Sequence, residues 1–124
     1  MIELQKFIVQ QLKAIHPQVY LEWAPQGAVF PYIIYTLPTS DEIERREDFI
    51  LEVDVWDKQE DGSTVTLQNI SDQIDQTLNR LIFTSSTGWS SRFYRINRLI
   101  VPDPDPAIRR RQLRYDIRVY RRDT

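Results

Sequence analysis

The sequence predicts an α+β fold, with one antiparallel or mixed sheet of about five strands and two helices packed on one face, in the order α-β-β-β-α-β-β. Residues 49–57, Phe-Ile-Leu-Glu-Val-Asp-Val-Trp-Asp, alternate Phe49, Leu51, Val53 and Val55 with Ile50, Glu52, Asp54 and Trp56, the period of a two-faced strand. A polar turn from Lys58 to Gly62 then leads into Leu67, Ile70, Ile74, Leu78 and Leu81 at helical spacing, so the period lengthens from 2 to 3.6 within a few residues. Strands lying in runs between helices favour a sheet covered on one side over a repeated βαβ unit.

In the first helix, over about residues 2–15, Leu4, Phe7, Ile8, Leu12 and Ile15 share a face. His16-Pro17 stops it, because the residue before proline is pushed out of helical geometry. Val19, Leu21 and Trp23 alternate with Tyr20 and Glu22 in a short strand closed by Pro25-Gln26-Gly27, and a second strand runs from Tyr32 to Leu37 and ends at Pro38. Thr39 to Asp48 is polar and charged, either a mobile loop or a projecting β extension of the kind that carries partner contacts. After the central strand, Ser63 or Thr64 can cap the second helix, which is expected to reach about Phe83 and stop at Thr84-Ser-Ser-Thr-Gly88. Two more strands follow, Phe93 to Val101 and Arg111 to Tyr120, the latter with Leu113, Tyr115, Ile117 and Val119 inward and Gln112, Arg114, Asp116 and Arg118 outward. Between them, the alternating prolines of Pro102-Asp103-Pro104-Asp105-Pro106 suggest a stiff, extended arm rather than a compact turn.

A chain of 124 residues without repeat or linker reads as one domain, residues 1–124, with a single core. Cysteine is absent and His16 is the sole histidine, which removes disulfides, thiolate metal sites and multi-histidine centres. Apolar runs are far shorter than the roughly 18 residues of a membrane span, and Met1 to Lys6 lacks a basic region before an apolar core, so a soluble chain without a secretion signal is expected. The 16 basic and 18 acidic residues nearly cancel, yet they are partitioned. Residues 41–61 hold ten acids against Arg45, Arg46 and Lys58, whereas residues 92–122 hold ten arginines against Asp103, Asp105 and Asp116. Neighbouring strands of one sheet would bring the two signs together, each opposed pair contributing about 0.2–1 kcal/mol.

Catalytic chemistry finds few residues. His16 sits at a helix end against proline, away from any serine–carboxylate arrangement, and Gly27, Gly62 and Gly88 are too isolated for a phosphate loop. Asp57 to Gly62 resembles the start of a calcium loop, but the twelfth position is Gln68 and a strand precedes it, so a strand-to-helix turn is the expectation. Glu52 and Asp54 share a strand face at a spacing that a glycosidase pair or a hard cation could use; a solvated or arginine-paired face is the expected reading. Arg109, Arg110, Arg111, Arg114, Arg118, Arg121 and Arg122 interleave with Tyr115 and Tyr120 as in some nucleic-acid binders, yet the strand period turns Tyr115 inward and the total charge is acidic. No catalytic residue, metal site or cofactor is assigned.

The block from Phe49 to Asp57, its charged turn and Ile70 to Asn79 resemble the central strand and helix of the small tail-terminator, or tail-completion, proteins of long-tailed bacteriophages and prophages. Pro31-Tyr-Ile-Ile-Tyr35 and the arginine-rich strand from Leu113 to Tyr120 also fit, so the likeness spans most of the chain. The resemblance implies a structural protein, not an enzyme, that forms a ring, typically a hexamer, on the last ring of tail-tube subunits, stops tube growth and offers a surface to the head–tail connector. The implied partners are copies of itself, the tail-tube protein and the connector, with DNA passing through the ring and no membrane. Its implied location is the host bacterial cytoplasm during assembly and the virion tail afterwards. Closed rings use heterologous contacts, for which complementary acidic and basic edges are suited.

On this reading, intersubunit or tube contacts are expected from Asp41, Glu42, Glu44, Arg45, Arg46, Glu47 and Asp48 before the central strand. The proline arm is expected to add Asp103, Asp105, Arg109, Arg110 and Arg111. Glu52, Asp54, Arg114 and Arg118 are expected to pair charges across strand faces. Trp56 and Trp89 are further interface candidates, although packing under the second helix is the expected role of each. The alternative function is a small protein- or RNA-binding adaptor acting through the arginine strand.

Overall fold

The computed structural model describes residues 2–43 and 46–120, and its elements in chain order are α1 (Ile2–Ile15), β1 (Val19–Leu21), β2 (Tyr32–Ile43), β3 (Arg46–Lys58), α2 (Val65–Leu78), β4 (Ile82–Thr84), β5 (Ser90–Val101) and β6 (Ile108–Tyr120). The strands form one six-stranded sheet in the order β1-β2-β3-β6-β5-β4. It is mixed, because β1 runs parallel to β2 while the other neighbours are antiparallel. The expected α+β architecture is present with one strand more than the sequence suggested.

Residues opposite one another in neighbouring strands share a face. Tyr35, Val53 and Leu113 are aligned in this way, as are Phe49, Ile117 and Phe93, and all are buried. Leu4, Ile8 and Leu12 of α1, with Leu67, Ile70, Ile74 and Leu78 of α2, belong to the same core cluster. Both helices therefore cover one side of the sheet. Phe7 of α1 stacks on Phe83 of β4 with ring centroids 4.0 Å apart, and Ser86 Oγ donates to Glu3 Oε1 at 2.7 Å, which ties the start of α1 to the β4 edge. At its other end α1 stops as expected, and His16 Nε2 donates to the Pro31 carbonyl at 2.7 Å, a structural use of the sole histidine.

Several boundaries differ from expectation. β2 passes through Pro38 to Ile43, because one extra residue between Thr36 and Thr39 forms a bulge where proline's missing N–H leaves no gap in the ladder. The segment after Pro38 is thus the β extension, not a loop. β1 stops at Leu21, where Glu22 takes a left-handed φ of 67°, and Trp23 lies beyond the strand, 74 % exposed. α2 ends at Leu78: Asn79 is extended and Arg80 has φ 67°, while Arg80 N and Phe93 N exchange hydrogen bonds with the Phe93 and Leu81 carbonyls, pulling the chain into β4. Helical spacing continues to Leu81, but pairing with β5 competes for its backbone and wins. β5 and β6 each begin three residues earlier than expected, at Ser90 and Ile108. At the start of α2, Thr64 occupies the cap position without a side-chain hydrogen bond, and Ser63 Oγ instead accepts from Val65 N at 3.4 Å.

Tyr115 joins sheet to helix. It is fully buried, and its hydroxyl donates to Asp75 Oδ1 at 2.9 Å; Asp75 also accepts from Arg95 Nη1 at 2.8 Å. Burial, followed by the Asp75 charge and hydrogen bond, pushes the phenol well above its ordinary 10.0. The folded phenol keeps its proton where the unfolded chain would lose it, so this contribution is complete below pH 10 and declines as pH rises above it. Tyr115→Phe is expected to cost about 1.5 kcal/mol at neutral pH for the lost bond to a charged acceptor. The same variant should remove about 1.4 kcal/mol per pH unit from the alkaline decline in stability. Denaturant melts between pH 8 and about 12 check both, and equal alkaline slopes in the two proteins would contradict the assignment.

Candidate functional site

The side of the sheet away from the helices is charged and aromatic. β3 and β6 pair along their whole length, from Arg46↔Tyr120 to Lys58↔Ile108, so the acid-rich and arginine-rich halves of the chain are neighbours. On this open face Arg110 Nε donates to Asp54 Oδ1 at 3.0 Å, and Arg114 Nε stands 3.7 Å from Glu52 Oε2, an ion pair longer than a hydrogen bond. Arg118 pairs within its own strand, donating to Asp116 Oδ2 at 3.1 Å, and its guanidinium lies over the Tyr94 ring, 4.9 Å from the centroid. Asp54 is buried; desolvation raises its pKa, while the Arg110 charge and hydrogen bond draw it back down.

Trp56 lies on this face and not under α2, which corrects its expected packing role. Strand parity decides it, since Trp56 is opposite Tyr32 and Arg110. It stacks on Tyr32 at 6.2 Å with an 11° interplanar angle, and Arg110 covers the ring at 4.9 Å. Tyr20 and Phe30 extend the aromatic group against Tyr32. Trp89, in contrast, is half-buried at the core margin, edge-on to Phe83 at 5.6 Å.

The β2–β3 hairpin concentrates negative charge. Asp41 lies opposite Asp48, and Glu42 lies opposite Glu47. Like charges placed directly opposite are unfavourable within a sheet. Arg46 relieves part of this by donating from Nη2 to Asp48 Oδ2 at 3.0 Å. Glu44 and Arg45, assigned to the same segment, lie outside the described residues, as do Arg121 and Arg122.

The proline segment corrects the expectation of an extended arm. Asp103 Oδ1 accepts from Asp105 N, and Asp105 Oδ1 accepts from Ala107 N, both at 2.9 Å, while the Asp105 carbonyl accepts from Ile108 N at 3.1 Å. The aspartates cap the few N–H groups that the prolines leave, folding the link into a compact turn. Gln59 N donates to the Ala107 carbonyl at 2.9 Å and anchors this turn to the one leaving β3. The calcium-like segment is part of that anchor: the Asp57 carboxylate accepts from Lys58 N at 2.8 Å and from Gln59 Nε2 at 3.2 Å. Next to the turn, Arg109 lies directly opposite Asp57, and Arg111 lies among positive neighbours. Burial and then the charges of Arg109 and Arg98 lower the Arg111 pKa.

Sequence reasoning missed the edge of β5, where Ile96, Leu99 and Ile100 are exposed. The available signal was the run Ile96-Asn-Arg-Leu-Ile-Val101, whose apolar residues lack clean alternation. No helix among the described residues is long and apolar enough to cross a membrane.

The family described as tail completion protein gp17 matches residues 9–120. Among solved structures, a chain from "Virion of native gene transfer agent (GTA) particle" is similar in fold, with a TM-score of 0.68 at 15% identity and 91% of each chain covered. No curated protein matches the chain in sequence.

Proposed function

The chain belongs to the family of phage tail completion proteins, and we propose that it caps the end of the tail tube as a ring, halting tube elongation and presenting the surface on which head and tail join. The family match over residues 9–120 carries this reading. The charged surface supports it, because the sheet's open face and the hairpin offer ordered, partly exposed groups for contact with other proteins. The partners are further copies of the chain, as a hexamer on the tail, together with the tail-tube protein and the head–tail connector, and DNA passes through the centre. Assembly takes place in the bacterial cytoplasm, and the protein remains in the virion tail. The work is done by complementary surfaces, without bond chemistry.

Within this reading, Asp41, Arg46, Asp48 and their hairpin neighbours face the adjoining subunit or tube, as do Asp103, Asp105 and the arginines after the proline turn. The reading is tested by deleting the gene from the phage or prophage that encodes it and measuring tail lengths by electron microscopy. Tubes of irregular length that remain detached from heads, corrected by supplying the protein in trans, are expected. Particles with tubes of normal length joined to heads would overturn the proposal.

A further inference from the structure

The arginine-rich strand places one half-buried guanidinium in a cavity without a counter-charge. Beside α2, between it and the helix-covered face of β5 and β6, lies a cavity of about 220 Å³ lined in part by Gln68 and Asp72 of α2, Arg98 and Ile100 of β5, and Arg111 and Leu113 of β6. Strand register accounts for the grouping: Arg98 is opposite Leu113 and Ile100 is opposite Arg111, on the face that carries the core. Arg98 reaches across to Asp72 at 2.8 Å, an ion pair whose carboxylate side chain is 54% exposed. Arg111 is half-buried; among the described residues its side chain donates only to the Arg110 carbonyl, from Nη1 at 3.3 Å, and forms no ion pair. The nearest carboxylate along β3 is Asp57, which stands opposite Arg109 and whose two oxygens accept from Lys58 N and Gln59 Nε2.

Arginine does not shed its proton to escape such surroundings. Burial, followed by the like charges of Arg109 and Arg98, acts against the Arg111 charge, and an anion in the cavity relieves that conflict. Guanidinium forks bind oxyanions through paired, charge-assisted hydrogen bonds. The oxygens of a tetrahedral phosphate diverge and can accept from two forks on neighbouring strands and from an amide, whereas a planar carboxylate turns both oxygens toward one fork. We propose that the cavity is a phosphate-binding site, in which Arg111 holds the anion, Arg98 turns from Asp72 to join it and Gln68 donates from its amide. Exposed ion pairs contribute little, so Arg98 gives up Asp72 readily. The site stands apart from the ring reading: it assigns Arg111 to the cavity beside α2, and the outward contacts proposed for the proline turn do not need it.

Thermal melts in sodium phosphate and in sodium chloride, at equal pH and ionic strength, test the site in the unaltered protein, Arg111→Gln and Asp72→Asn. Phosphate is expected to raise the Tm of the unaltered protein above its value in chloride, with a saturable dependence on concentration. Arg111→Gln should raise the half-saturating phosphate concentration by about tenfold or more, and Asp72→Asn, which frees Arg98 and removes an opposing charge, should lower it by about threefold or more. The chloride melts report folding, and Arg111→Lys, which keeps the charge without the fork, replaces Arg111→Gln if the latter fails to fold and should also weaken binding. A short DNA duplex added in chloride identifies the source: an Arg111-dependent shift assigns the site to backbone phosphates, and a shift with inorganic phosphate alone assigns it to the free ion. Equal Tm in the two salts would overturn the site, as would a phosphate shift that neither variant alters, which is the general effect of an excluded salt. A shift lost in Arg111→Gln but not strengthened in Asp72→Asn would overturn the part given to Arg98. Sodium acetate that matches phosphate would overturn the phosphate assignment in favour of a protein carboxylate.

Discussion

Phe93→Ala is expected to destabilise the domain by about 3–5 kcal/mol, a large share of the roughly 5–15 kcal/mol available to a folded domain. Phe93 is fully buried on the helix side of β5, opposite Ile117 and edge-on to Phe7 at 6.3 Å. Its backbone also receives Arg80 N and donates to the Leu81 carbonyl, so the residue lies where the end of α2, β4 and β5 meet. Truncation would leave a cavity that rigid strands cannot close. The control is Ile100→Ala on the same strand: Ile100 is 74% exposed, and its truncation should change the stability of the monomer by less than about 0.5 kcal/mol. Denaturant melts of the two variants at matched protein concentration make the comparison, and a similar loss in both would contradict the placement of the core.

Arg110→Ala is expected to cost about 2–3 kcal/mol at neutral pH, because it leaves the buried Asp54 carboxylate without its charged donor and uncovers the Trp56 ring. This cost depends on pH. Burial already raises the folded Asp54 pKa above its ordinary 3.8, against the lowering effect of Arg110. A raised carboxyl favours the folded state most when protonated, so Asp54 contributes most below its unfolded pKa, and that contribution is lost as pH rises through the folded value. Removing Arg110 takes away the lowering effect and enlarges the loss at neutral pH. The stability gap between variant and parent should therefore narrow as pH falls from 7 toward about 4, where the protonated Asp54 no longer needs its partner. Arg118→Ala is the comparison: its carboxylate partner, Asp116, is less buried, and the expected cost is within about 1 kcal/mol at either pH. A gap for Arg110→Ala that stays constant across this range would assign the loss to packing on Trp56.

Much of the architecture could be read locally. The alternation in residues 49–57 identified the central strand and its buried face, and Leu113, Tyr115, Ile117 and Val119 identified the matching face of β6. The spacing of Leu4, Ile8 and Leu12 marked the buried stripe of α1. The family resemblance lay in these same patterns, and it agrees with the family match over residues 9–120. Surface assignments were less legible, because a polar stretch such as Thr39 to Asp48 can form a loop or pair with a neighbour at little difference in local preference. Trp56 was misplaced for a related reason: a large apolar side chain suggests burial under a helix, whereas strand parity turns it to the other face.

Periodicity by itself determined the helices, the main strands and their inward faces, since each depends on side-chain directions repeated every 2 or 3.6 residues within one segment. Only tertiary structure decided that β2 passes through Pro38, that α2 yields to β4 after Leu78, and that Arg110 reaches Asp54 across 56 positions of sequence. Those outcomes depend on which distant backbone or charge competes for each group, and such competition is resolved by pairing between strands far apart in the chain.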